Sequence, residues 1–408
     1  MALPTYMIWE LREGSSGSGG WEDGGSGTDY SQQDNAQIDT TDWETKNNDY
    51  DRLYSSSEDA NLVAALVGNT LKITAGTNFT TGTYHIDGSG SDGGGNYIDL
   101  DRDCASANSN DGEGVIGGAM SDLVALDVIM DDGDIAHIKS GTYSTTADIG
   151  WENCAAGYLL ELKGYNFSRD DEPQGDDRPL IQCGGFAFGL GVGTEVSCIR
   201  FTTTHMFGVS MVYPSKMISV KVHNTGAGYA IYGITQGGIT LIGCEGIADG
   251  NHGFYVMGHA LVMFCSAHDC GLSGFRIGAV VGTVMMYCEA SHNTEYGIVC
   301  EGYGSLIAHN TISNNTKDGI YLDGSNHNVW LNNQITNNGE HGIEGAGDLD
   351  HEHVDYNNFH NNTSGRSDGT MWPDYHQTAD DPGYTDAANR DYSDVDDANA
   401  LKMQLGVS

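Results

Sequence analysis

A glycine recurs through the second half of this chain at near-constant spacing. It stands at Gly189, Gly208, Gly228, Gly253, Gly274, Gly297, Gly319, Gly342 and Gly365, at intervals of 19, 20, 25, 21, 23, 22, 23 and 23 residues. Self-similarity at a period of roughly 20–50 residues marks a solenoid, and this interval suits one coil of a parallel β-helix. One position after the glycines come Leu190, Val209, Tyr229, Phe254, Phe275, Ile298, Ile320 and Ile343. Three positions after come Val192, Met211, Ile231, Val256, Ile277, Cys300, Leu322 and Gly345. Between them lie Gly191, Ser210, Ala230, Tyr255, Arg276, Val299, Tyr321 and Glu344. Strand side chains alternate faces, so the first two sets are expected inside the coil and the third outside. A helical repeat would need apolar residues at three- and four-residue steps. Glycine at each start fits a corner that needs positive φ or close backbone approach.

Another column keeps the same period: Cys244, Cys265, Cys288, Asn310, Asn333 and Asn357. Stacked amides can form a hydrogen-bonded ladder, which is the reading adopted for these asparagines over glycan binding. The cysteines read as small core residues. The chain has 9 Cys, an odd count, and no Cys-x-x-Cys pair. Neither a zinc ribbon nor a complete disulfide framework is indicated, and folding in a reducing compartment is expected.

The 408 residues include 58 Gly and only 6 Pro, a composition for many short strands and room for more than one domain. No apolar run is long enough to cross a membrane as a helix. The first residues lack the basic-then-apolar pattern of a secretory signal. The net charge of −40 argues against nucleic acid and anionic membranes as partners. It also opposes anionic polysaccharides unless cations intervene.

The expected organisation has four parts. Residues 1–57 are a Gly/Ser-rich extended arm. Residues 58–130 are a small β-rich domain or cap, with strands at Leu62–Leu66, Thr70–Ile73, Thr83–Ile86 and Tyr97–Leu100 and a short helix within Ala119–Met130. Residues 131–365 form the solenoid, opening on Asp134–Tyr143. Residues 366–408 are an irregular C-terminal cap with a short helix at Val395–Leu405. Caps close the exposed apolar ends of a solenoid.

Gly133-Asp-Ile-Ala-His-Ile-Lys-Ser-Gly-Thr-Tyr143, Asp318-Gly-Ile-Tyr-Leu322 and Glu340-His-Gly-Ile-Glu344 resemble coils of right-handed parallel β-helix proteins of the pectate-lyase-like superfamily. That resemblance covers roughly residues 130–365. The N-terminal stretches Gly27–Asp34, Val67–Gly82 and Leu100–Cys104 are similar to segments preceding a β-helix in virion structural proteins of bacteriophages. The resemblance implies a particle component, commonly trimeric, exposed on the head or tail. Polygalacturonase motifs are incomplete here: Asn224-Thr-Gly226, Gly258-His-Ala260 and Arg276-Ile-Gly278 each lack a needed residue. The Asp-Pro-His-Asp run of alginate epimerases does not occur.

Candidate chemistry gathers on the outward columns. Glu301 and Asp323 occupy equivalent positions of neighbouring coils, about 4.8 Å apart by strand spacing, close to the carboxyl separation of about 5–5.5 Å in retaining glycosidases. Glu344 joins them as a candidate catalytic carboxylate, against the alternative of a solvated acidic face. Tyr255, Arg276 and Tyr321 are candidate glycan-binding residues, or equally a subunit interface, where Tyr and Arg are enriched. His351 and His353 are candidate metal ligands. Asp170, Asp171, Glu172, Asp176 and Asp177 are candidate calcium ligands; calcium here, and zinc or another divalent ion at the two histidines, are the ions considered. The function expected is a structural protein of a phage virion surface: a homotrimeric decoration, spike or fibre in contact with other virion proteins and host surface polysaccharide. The alternatives are a polysaccharide-degrading enzyme, on a tailspike or secreted, and a filament-forming protein.

Overall fold

The computed structural model describes residues 8–11, 38–67, 70–116, 119–120, 123–130, 133–151, 159–166, 172–234, 237–278, 282–346, 351–367, 376–386 and 391–394. Two compact units divide the chain: residues 1–145 with 153–180, and residues 146–152 with 181–408.

The first unit contains a closed barrel of strands Ile38–Lys46, Asp49–Ser55, Gly95–Leu100, Gly82–Asp92, Thr70–Ala75 and Ser109–Ile116, in that spatial order. Its core holds Trp43, Leu53, Leu71, Tyr84, Ile86 and Ile98. This corrects the expected arm, because residues 38–55 are barrel strands. Their first strand turns Ile38, Thr40, Trp43 and Thr45 inward, and the pairing slips between Thr40 and Trp43. Inward threonines and the slip hide its alternation. Leu62–Leu66 is not a strand; Ala64–Leu66 is a 3₁₀ turn. The helix is present at Leu123–Ile129. Ile8–Leu11 pairs in parallel with Ile135–Lys139, which also pairs with Leu160–Tyr165. Gly14–Gly27 and Val395–Leu405 lie outside the described residues.

The second unit is a right-handed parallel β-helix. Three parallel sheets run along it, and each coil gives one strand to each sheet. In the coil around Phe254 these are Ala260–Met263, Glu245–Ala248 and Phe254–Met257. Phe254, Phe275, Ile298, Ile320 and Ile343 are register partners in successive coils, and all are buried. Phe254 and Phe275 stack at 4.6 Å. Opposite them the second sheet sets the small residues Gly246, Ala267 and Ala290 in register. A methyl on Gly246 would lie 2.6 Å from the Phe254 ring, so large and small residues interdigitate.

The earlier coils are phased differently from the glycine count. Phe188 pairs with Val209, Val209 with Ile231, and Ile231 with Phe254. Tyr229 therefore lies outside the column and Ala230, expected outward, is buried.

Most of the repeat glycines serve close approach. A Cβ on Gly297 would sit 2.5 Å from Ile312 and 2.7 Å from the Gly319 carbonyl. Left-handed backbone occurs at two of the repeat glycines, Gly208 (φ 55) and Gly365 (φ 98), and at other corners, including Phe264 (φ 56), Tyr287 (φ 56), His309 (φ 58) and Asn337 (φ 56).

Two asparagine ladders run through the interior. In one, Asn310 Nδ2 donates to Asn333 Oδ1 and Asn333 Nδ2 to Asn357 Oδ1, each at 2.9 Å. The same oxygens accept the Asn310 and Asn333 backbone N–H groups at 3.0 and 2.9 Å. Asn293, Asn315, Asn338 and Asn362 form the other. Cys244, Cys265 and Cys288 are free and buried, and the Cys288 N–H donates to Asn310 Oδ1 at 2.8 Å, so the thiols continue the asparagine column.

Thermal melts test these two devices. Gly297→Ala is expected to destabilise by roughly 1–3 kcal/mol or more through overpacking. Gly185→Ala, whose added methyl comes no closer than 3.8 Å to Thr204, is expected to change little. Asn333→Ala strands the Asn310 N–H and is expected to cost roughly 1–3 kcal/mol for each group left unsatisfied; equal melts for all three variants would contradict the packing described.

Candidate functional site: a polar and aromatic strip on the third sheet

The strand that begins at Phe254 belongs to the sheet whose outer face carries the richest chemistry. Register pairing aligns Tyr232, Tyr255, Arg276, Val299, Tyr321 and Glu344 in one column. Three residues earlier in each coil, the chain enters the strand through Tyr229, His252, Ser273, Tyr296, Asp318 and His341. Side by side, the two columns form a strip that changes character along its length.

One end is aromatic. Phe207 contacts Tyr232 at 4.7 Å, and Tyr229 meets Tyr232, Tyr255 and His252 at 5.2, 5.2 and 5.9 Å. Rings crowded in this way offer edges and hydroxyls rather than open faces. Next comes Arg276. Its guanidinium lies over the Tyr255 ring at 5.5 Å, forms an ion pair with Glu301 and places Nη1 3.3 Å from His252 Nε2. Burial, then the Arg276 charge, lowers the His252 pKa to about 4, so the imidazole is neutral at neutral pH.

Beyond Val299, which is buried, Tyr296 and Tyr321 stack at 4.7 Å. Lys317 sits over the Tyr296 ring at 4.9 Å and pairs with Glu295 at 2.7 Å. The far end is acidic. Asp318 is fully buried, and its Oδ1 accepts the His341 N–H at 2.7 Å. Burial, then Glu344, pushes the Asp318 carboxyl well above the usual carboxylate range.

The structure brings Tyr255, Arg276 and Glu301 together and sets Tyr321 beside Glu344. It does not make a free pair of Glu301 and Asp323: Arg276 holds the first, and the second is exposed. His351 and His353 are exposed, and His351 stacks on His327 at 4.5 Å. Asp170 and Asp171 lie outside the described residues, while Glu172, Asp176 and Asp177 are exposed. Sequence reasoning missed the aromatic strip residues Phe207, Tyr229, Tyr232 and Tyr296, and also His252, Asp318 and His341 among others. A signal existed, since His252, Asp318 and His341 each immediately precede a repeat glycine.

A family model described as a right-handed β-helix region matches residues 207–366. The match spans the whole strip. No curated protein matches the chain in sequence. Solved structures similar to it include pectate lyase Pel9A, at 12% identity and TM-score 0.48, covering 66% of this chain and 78% of that one. The A-module of mannuronan C-5 epimerase AlgE4 from Azotobacter vinelandii is similar at 12% identity and TM-score 0.39, covering 61% and 91%. ORF18 of Geobacillus virus E2 is similar at 14% identity and TM-score 0.42, covering 63% and 56%.

The neutral His252 gives a pH signature. Its folded pKa of about 4 lies below the unfolded value of about 6.5. The stability it contributes is therefore present above pH 6.5 and lost as pH falls toward 4, by at most about 3 kcal/mol. Denaturant melts at stepped pH are expected to show this loss, and His252→Phe is expected to flatten it; an unchanged slope would place the proton elsewhere.

Proposed function

We propose that this protein is a surface component of a bacteriophage particle, a homotrimer that holds a host glycan along the strip from Phe207 to Glu344. The observation that carries this reading is the strip's continuity. Tyrosine edges and hydroxyls, the fixed Arg276 guanidinium and, past the buried Val299, the Tyr296–Tyr321 stack and Glu344 follow one another along coils spaced at about 4.8 Å, so an extended polymer meets polar and aromatic groups along the strip. Small sets of placed polar groups among aromatic side chains are the usual lining of carbohydrate-sized sites.

The net charge of −40 favours a neutral glycan over an anionic one. The strip's cations reinforce this, because Arg276 and Lys317 are already paired with Glu301 and Glu295. The barrel is a separately packed unit suited to holding other virion proteins, which leaves the strip for the glycan. Cleavage of the polymer is the competing reading, and the engagement of Glu301 by Arg276 weighs against the Glu301–Asp323 pair as its catalyst.

Calorimetric titration with neutral bacterial surface oligosaccharides is the test. Tyr255→Ala and Tyr321→Ala are each expected to weaken binding about fivefold or more, equivalent to about 1 kcal/mol; full affinity in both variants would remove the strip from the reading. Chromatography of the polysaccharide after incubation is expected to show unchanged chain length, and shortened products would favour the enzyme. Light scattering is expected to give three copies per particle in solution.

A further inference from the structure

Among the described residues, the acidic end of the strip gathers three side chains whose geometry goes beyond contact with a glycan. Asp318 and His341 occupy the same position in successive coils, two residues before the paired Ile320 and Ile343. Glu344 projects from the strand that His341 begins. One ligand atom from each of Asp318, His341 and Glu344 lies within 4.8 Å of the other two.

Asp318 Oδ2 and His341 Nδ1 are both buried and make no well-formed hydrogen bond, although His341 Nδ1 lies 3.3 Å from Asp318 Oδ1. Asp318 is 0% exposed, so water does not meet that oxygen from outside. Its other oxygen is fixed by the His341 backbone N–H at 2.7 Å, which sets the orientation of the carboxylate. Unsatisfied buried polar atoms are costly and call for a physical reason. A cation would meet both.

We propose that Asp318, His341 and Glu344 form a binding site for a divalent transition metal of the zinc class. One imidazole and two carboxylates suit zinc, whose bonds to such ligands run about 2.0–2.2 Å, whereas calcium takes oxygen ligands alone. Ligand atoms on a tetrahedral zinc with bonds of about 2.1 Å stand about 3.4 Å apart, so separations that are nowhere above 4.8 Å need only a small closure on binding. Three protein ligands leave a fourth position for water or a ligand hydroxyl. The ion also neutralises the two carboxylates that Asp318 and Glu344 bring together. His351 and His353, exposed one coil further on, supply no part of the site.

The experiment is calorimetric titration of Zn²⁺ into the full chain after chelator treatment, without glycan, so that its outcome is independent of the glycan reading. Saturable binding of one ion per chain is expected. Glu344→Gln, at a partly exposed position, is expected to weaken it at least tenfold while leaving the melting temperature of the metal-free protein nearly unchanged. His341→Gln is expected to do the same, and Asp318→Asn to abolish it. Substituting Co²⁺ is expected to give visible absorption that Glu344→Gln removes. Zn²⁺ binding that survives Glu344→Gln and His341→Gln, or that is lost in a His351→Ala, His353→Ala double variant, would overturn the assignment, as would Ca²⁺ binding more tightly than Zn²⁺.

Discussion

Among the described residues, successive coils of the second unit close their backbone hydrogen bonds onto one another, as Phe254 N–H does onto the Gly274 carbonyl at 2.9 Å. That requirement governs the remaining features. Two coils can bond along all three sheets only if their strands begin at matching positions, so each coil must be of nearly the same length as its neighbour. Once the lengths match, every side chain inherits the address of its counterpart. The Phe254–Phe275 stack, the asparagine ladders and the outer strip are consequences of that one registration. The repeat glycines protect it, since a methyl on Gly297 or Gly319 would meet backbone and side chain below 3 Å.

Registration also decides how the interior handles polarity. A coil must turn between sheets, and the turns leave N–H groups facing inward where no strand can receive them. Asn333 Oδ1 accepts two such donors, one from Asn310 Nδ2 and one from the Asn310 backbone, and its own amide passes the pattern on. Glu352 does comparable service near the end of the helix. It is buried and accepts from Ser325, Asn328 and Trp330 at 3.2, 3.0 and 2.8 Å. Buried polar groups satisfied on this scale specify one arrangement of the core.

Legibility in the sequence followed the regularity of the coils. From Gly253 onward the glycine interval stays between 21 and 23 residues, and the inward and outward columns read from it match the structure, save Val299, which is buried. Before that, intervals of 20 and 25 residues conceal an even spacing between Val209, Ile231 and Phe254, and Tyr229 was read as inward. The barrel's first strands were hidden by inward threonines and a pairing slip. In the strip, Tyr255, Arg276 and Tyr321 were readable because they alternate with apolar residues. Asp318 and His341 were not, because their place at the strand entrance looks like loop until coils are superposed.

Because each coil interacts only with the ones beside it, the helix is modular along its axis. Deleting or duplicating one repeat, for instance the span from Gly297 to Asp318, would preserve every contact type while shortening or lengthening the outer strip by one strand spacing. Coil number thus works as a ruler. The length of the outer strip can change in discrete steps through repeat gain or loss, without redesign of any single contact.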